Sequence, residues 1–141
     1  MNRKKIIIVS VIFVCLGVAI LSRSVDRNKV IYGLSEGTYT VEGAENATVP
    51  ASITFDLNKD TFSFSYDLLS SYLPHGTWEI EKGKVLATTH DKNYVYIFDI
   101  IDNVTLKFVQ KGSSTITYTD ENINANPSIV DGTKFVLSDP R

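Results

Sequence analysis

The chain has two histidines, His75 and His90, the side chains best placed to act as general bases or neutral metal ligands near neutral pH. Ser70 and Ser71 lie just before His75, so a hydroxyl nucleophile next to an imidazole base is the first chemistry the residues suggest. The surrounding pattern does not sustain it. There is no Gly-x-Ser-x-Gly elbow, no Ser-x-x-Lys and no glycine-rich phosphate loop, and sequence proximity alone does not orient a triad. Neither histidine has a partner two or four residues away, as a zinc site on one strand or helix needs. Both therefore read as surface residues in loops. Asp102-Asn103 and Asp120-Glu121-Asn122 lack the spacing of a calcium loop and read as solvated turns. The expectation is a non-enzymatic protein with no catalytic residues, no metal and no cofactor.

The remaining candidates are residues of recognition. Leu68 to Gly76 is a loop with unusual residue demands, and loops positioned by a rigid scaffold commonly carry binding. Ser71, Tyr72, His75 and Trp78 are the candidate ligand- or partner-binding residues, with tyrosine hydroxyls and the Trp78 indole lining a barrel mouth. The competing expectation is a packed corner, in which Leu69, Tyr72 and Leu73 plug one end of the barrel and Gly76 permits the turn.

The elements that must hold these residues are strands. Ile53, Phe55 and Leu57 share one face, Asn58-Lys59-Asp60 reverses the chain, and Phe62, Phe64 and Tyr66 share the next. Trp78 and Ile80 alternate with Thr77, Glu79 and Glu81; Lys82-Gly83 turns; Lys84 to Thr89 returns; His90 to Asn93 turns again. Tyr94 to Ile101 is apolar on both faces apart from Asp99, as suits a central strand covered on each side, and Val104, Leu106 and Phe108 come next. Thr38 to Glu42, Thr115 to Thr119 and Thr133 to Leu137 complete a set of about eight strands, and Asp67 to Leu73 offers a helical turn. The fold class is all-β: an antiparallel up-and-down meander, barrel-like because closure removes exposed edges, with a β-sandwich as the alternative.

The first 24 residues are of another kind. Arg3, Lys4 and Lys5 precede an apolar run from Ile6 to Leu21, the pattern of an export signal that leaves the amino end in the cytoplasm and sends the rest of the chain outward. Sixteen helical residues span about 24 Å, short of the ~30 Å of hydrocarbon but usable as a membrane anchor. Ser22-Arg23-Ser24 is a poor cleavage site, so an uncleaved single-pass anchor is expected, with secretion after cleavage near Ser24 as the alternative. Residues 1–24 are then the anchor or signal peptide, 25–36 a juxtamembrane spacer and 37–141 a single β-domain. Cys15, the one cysteine, is apolar filler within the run, so no intramolecular disulfide can form. All sixteen acids lie beyond residue 24 against ten of the fourteen Lys and Arg, a formal −6. Without a basic cluster, nucleic acid is excluded as a partner.

The segment Leu69-Ser-Ser-Tyr-Leu-Pro-His-Gly-Thr-Trp-Glu-Ile80, followed by Tyr96-Ile-Phe98, Leu106-Lys-Phe108, Ser113-Ser114 and Asp131-Gly-Thr-Lys-Phe135, resembles a small extracytoplasmic β-domain. That domain accompanies the antirepressor-type membrane metallopeptidases of Firmicutes, the group of β-lactam sensor-transducers. The order of the motifs is kept from about Gly37 to Leu137. Trp78 stands where the family has tyrosine, and no His-Glu-x-x-His is present, so proteolysis is not carried over. The resemblance implies a sensory or accessory module outside the membrane. Three functions are expected in turn: a membrane-tethered binding or sensing module for an envelope ligand; an accessory regulatory subunit of a membrane peptidase or receptor; and, last, a hydrolase of unrecognised type. Ligand identity and oligomeric state are not legible in the residues.

Overall fold

The computed structural model describes residues 30–140, apart from 45, 67–71 and 118–125. The apolar run 6–21 lies outside the described residues, and among those described no helix is long and apolar enough to cross a membrane.

Ten strands form. β1 (Val30–Ile31) and β2 (Leu34–Ser35) make a small hairpin, succeeded by β3 (Gly37–Val41), β4 (Ser52–Asp56), β5 (Thr61–Ser65), β6 (His75–Glu81), β7 (Lys84–Thr89), β8 (Val95–Asp102), β9 (Thr105–Val109) and β10 (Lys134–Pro140). β3 to β10 pair in sequence order and β10 returns to β3, so the eight-stranded antiparallel sheet closes as an up-and-down barrel. Every neighbour pair in it is antiparallel, and Phe135↔Val41, Val136↔Thr40 and Leu137↔Tyr39 make the closing ladder. At Ser138 that ladder slips by one residue, and the Ser138 hydroxyl donates to the Thr38 carbonyl at 3.1 Å.

Alternation decides what lies inside. Tyr39, Ile53, Phe55, Phe62, Phe64, Trp78, Val85, Tyr96, Phe98, Leu106, Phe108 and Phe135 are buried, while the residues between them face out. An eight-stranded barrel is narrow enough for its own side chains to fill, and aromatic rings occupy much of the interior of this one. Phe64 meets Tyr96 edge-to-face at 5.0 Å and Phe135 at 5.9 Å, and Phe98 meets Phe108 at 5.6 Å. Rings this large fit because small residues oppose them. Across three strands the register runs Phe62, Gly76, Thr89 in one row and Trp78, Ala87, Tyr96 in the next. At Gly76 the strands approach so closely that a Cβ would run into the Thr88 carbonyl oxygen and lie 2.7 Å from the Thr89 Cα.

The barrel has two unlike ends. At one, the turns after β4, β6 and β8 are tight, and the β1–β2 hairpin folds across. Leu34 is fully buried there, and the Gly33 turn packs on Ile100. Part of the stretch expected to be a spacer thus belongs to this hairpin. The buried Tyr39 phenol accepts from Ser35 N at 2.9 Å and donates to Ser35 O at 3.1 Å, and the Ser35 hydroxyl donates to Asn103 O, tying hairpin to barrel. The opposite end carries the longer connections, after β3, β5, β7 and β9.

One expectation needs correction, and another falls mostly outside the described residues. Residues 115–117 form no strand, and 118–119 lie outside the described residues. β8 is flanked by β7 and β9, and beyond the end of β9 its free amides are taken by hydroxyls: Val95 N donates to Ser114 Oγ at 3.0 Å and Ile97 N to Ser113 Oγ at 2.8 Å. The Ser-Ser pair completes the edge that a further strand would have needed. The proposed helical turn falls partly on residues 67–71, outside the described set, and Tyr72 and Leu73 are not helical.

Phe64→Ala should cost about 3–5 kcal/mol in urea unfolding, because it empties the centre of the ring cluster. Gly76→Ala should destabilise by at least about 2 kcal/mol although it adds only a methyl group, because backbone on two strands would have to move. Stability unchanged by either would contradict the packing.

Candidate functional site

The site is built on the turn from β7 to β8. Thr89 is the last inward residue of β7, and its hydroxyl accepts from Tyr94 N at 3.1 Å and donates to Asp91 Oδ1, so one buried threonine pins both sides of the turn. Lys92 adopts φ 59°, and its amide returns to Thr89 O at 2.8 Å. Asp91 is the hub. Besides the Thr89 hydroxyl, it accepts Asn93 N at 3.1 Å, Asn93 Nδ2 at 3.0 Å and, from the preceding connection, the Tyr72 hydroxyl at 3.1 Å. The Thr89 hydroxyl, followed by the Asn93 amide, holds the Asp91 carboxyl down to about 2 from 3.8. The Tyr72 phenol is raised, first by desolvation.

From this turn a series of tyrosines runs inward. Tyr72 lies 5.4 Å from Tyr94, Tyr94 stacks parallel on Tyr96 at 6.5 Å, and Tyr66 packs on Tyr96 at 6.4 Å. Tyr72 and Tyr94 are over a third exposed, whereas Tyr96 is fully buried. The Tyr96 hydroxyl makes no hydrogen bond of good geometry, and burial, then the nearby Tyr66 hydroxyl, raises its phenol. It is the one buried side-chain polar atom among the described residues left without a partner.

The histidines come together. Because β6 and β7 pair Gly76 with Thr89, His75 and His90 are the next cross-strand neighbours on the outer face. His90 N donates to His75 O at 3.1 Å, and the ring centroids are 5.2 Å apart, inclined at 74°. His75 Nδ1 lies 3.1 Å from Leu73 O. His75 is the first residue of β6 rather than a loop residue, since its strand partner is Ser63 of β5; His90 is in the turn, as expected.

Of the four residues selected from sequence, Tyr72 and His75 stand together at this end. Ser71 lies outside the described residues. Trp78 is elsewhere: its ring points into the core toward the tight-turn end, edge-to-face with Phe55 at 6.1 Å, and its indole nitrogen faces Asp56 O at 3.4 Å. Residues not selected are His90, Asp91 and Tyr94. Thr-x-Asp-x-Asn over 89–93 is the available signal, a side-chain-stabilised turn whose carboxylate is already committed to hydrogen bonds. Asp102 likewise serves its own turn, accepting Val104 N at 2.9 Å.

The site offers aromatic stacking faces, phenol hydroxyls, two imidazoles and an ionised carboxylate. Among the described residues no three His, Cys, Asp or Glu side chains gather as a metal cluster. Away from the site, a shallow apolar groove of about 380 Å³ runs beside β3 and β10, lined in part by Val41, Ala44, Pro50 and Val136. Compared with protein-family models, with curated proteins and with solved structures, the chain matches none.

The hydrogen bonding sets two outcomes. Asp91 has a folded value below its unfolded one, so its contribution to stability is complete above about pH 4 and is lost as pH falls toward about 2. Asp91→Asn should flatten the acid limb of a thermal-stability profile over that range, and an unaltered limb would contradict the assignment. Tyr96→Phe removes an unpaired buried hydroxyl, whose desolvation costs about 1–3 kcal/mol, so thermal unfolding should show equal or higher stability. A clear loss would mean that the hydroxyl is bonded.

Proposed function

We infer that this chain is a membrane-tethered, extracytoplasmic binding or sensing module without catalytic activity, whose ligand or partner engages the loop end of the barrel through Tyr72, Tyr94 and His75. The observation that carries the reading is the polarity of the barrel. The β1–β2 hairpin, which directly continues the N-terminal segment, folds across the tight-turn end, whereas Tyr72, His75, His90 and Tyr94 sit at the other. Held by residues 6–21 as an anchor, the barrel would present its longer loops away from the bilayer, toward the envelope.

The filled interior narrows the mode of binding. An eight-stranded barrel can hold a small ligand only if its core is left partly empty, and here aromatic rings occupy it. Recognition therefore falls to the loop end and outer face. Two exposed tyrosines supply large rigid contact area at low entropic cost, with hydroxyls to fix orientation. The likeness of the Leu69–Ile80 segment and the motifs after it to the sensor-transducer-associated domain supports the same placement, and through it the second reading, an accessory subunit of a membrane peptidase or receptor.

Labelling of intact cells tests the tether. Cys15 is the chain's single cysteine and Glu79 faces outward from β6, so Glu79→Cys should react with a membrane-impermeant maleimide while the unaltered chain does not. Reaction only after lysis would reject an extracytoplasmic barrel. A photo-cross-linking residue at Tyr72 should then capture an envelope component that the same residue at Lys59, at the opposite end, fails to capture. Equal capture from both positions would reject the loop end as the binding face.

A further inference from the structure

His75 and His90 are fifteen positions apart in sequence and adjacent in space, a juxtaposition made by the β6–β7 register and pinned by the His90 N to His75 O bond at 3.1 Å. Both side chains are exposed, and on the other side of His75 the neighbouring strand pairs Ser63 with it. We propose that His75 and His90 together bind a divalent transition-metal ion such as Zn²⁺ or Cu²⁺, clipping β6 to the β7–β8 turn.

Three observations lead there. The first is distance. With metal–nitrogen bonds of about 2.0–2.1 Å and about 1.1 Å from nitrogen to ring centre, two imidazoles on one tetrahedral ion have centroids about 5 Å apart. The observed separation is 5.2 Å, so the two rings already stand as far apart as a shared ion would hold them. The second is the state of His75. Its Nδ1 lies 3.1 Å from Leu73 O, and an N–H donated to a backbone carbonyl leaves the Nε2 lone pair outward, the supporting arrangement usual for metal-binding histidines. The third is charge. Asp91, next to His90 in the turn, is ionised, and its oxygens are occupied by Thr89, Asn93 and Tyr72, so it favours a cation nearby without competing as a chelating arm.

The ligand chemistry selects the ion. Two imidazoles suit Zn²⁺, Cu²⁺ and Ni²⁺, with Cu²⁺ held most tightly, and they do not suit Ca²⁺ or Mg²⁺, which require oxygen ligands. Two protein ligands leave coordination positions to water or to a donor group on a partner. A bound ion would thus put an open coordination site beside Tyr72 and Tyr94, at the end that carries the exposed aromatic rings. The metal clip belongs to the barrel alone and is independent of the tether.

The test uses the full chain purified in detergent without a polyhistidine tag. Titrated with Cu²⁺, it should take up one equivalent whose electron paramagnetic resonance spectrum shows two equatorial nitrogens, and Zn²⁺ should raise the thermal unfolding midpoint. His75→Gln and His90→Gln should each weaken Cu²⁺ binding by about tenfold or more and remove the two-nitrogen signature, while strand content by circular dichroism stays unchanged. Mg²⁺ should neither bind nor raise the midpoint. Uptake that persists in the double variant would overturn the proposal, as would a wild-type chain that takes up neither Cu²⁺ nor Zn²⁺ at millimolar concentration. Either result would leave the labelling and cross-linking outcomes untouched, so failure here is distinguishable from failure of the tether.

Discussion

Closure of the sheet, β10 onto β3, is the constraint on which the rest of this molecule depends. The ladder Phe135↔Val41 to Leu137↔Tyr39 joins strands nearly a hundred residues apart, and it forms only if six intervening strands curve enough to bring them together. Curvature of that degree leaves a narrow interior, which must be filled without strain or voids. Aromatic rings on most of the strands fill it, and Gly76 and Ala87 provide the room they need. Among the described residues the barrel interior is occupied mainly by these rings.

The two ends differ in how their polar groups are settled. At the tight-turn end the buried Tyr39 hydroxyl is bonded in two directions and ties the β1–β2 hairpin to the barrel. At the loop end the buried Tyr96 hydroxyl has no partner, and above it Tyr94 and Tyr72 continue to the surface. A polar group left unpaired in the interior costs stability, and such groups persist more readily where function is served than where packing is. Outward charge obeys a separate logic. Asp99 pairs with Lys84 and lies 3.5 Å from Lys107, which lowers its carboxyl, first through the Lys84 hydrogen bond, and fixes the register of β7, β8 and β9 from outside.

Much of the barrel was legible because a two-residue period with one buried face has a single satisfactory reading. Ile53, Phe55, Phe62, Phe64, Tyr96, Phe98, Leu106 and Phe108 all point inward as alternation requires. Tyr94 to Ile101 reads as covered on both faces, but the outer face is covered only in part: Ile97 lies against the Gly112 turn that precedes the Ser113-Ser114 pair, whereas Ile101 is half exposed. Residues 115–117 form no strand, because a Thr-rich alternation cannot reveal that the Ser113 and Ser114 hydroxyls have already taken amides of β8. The site was less legible. Tyr72 and His75 could be picked from an unusual segment, but Trp78 shares their segment without sharing their end, since three strand residues carry it from the mouth into the core. The pairing of His75 with His90 depends on register between strands, which no local spacing encodes.

Amide hydrogen exchange on the folded chain tests barrel closure most directly. In a closed sheet β3 and β10 have no free edge, so the amides that bond across their seam, such as Glu42 N to Lys134 O at 2.9 Å, should exchange as slowly as those of Ala87 and Phe98 in β7 and β8. Fast exchange confined to β3 and β10, as edge strands of an open sheet or sandwich would show, would contradict the closed barrel and the account of the filled core built on it.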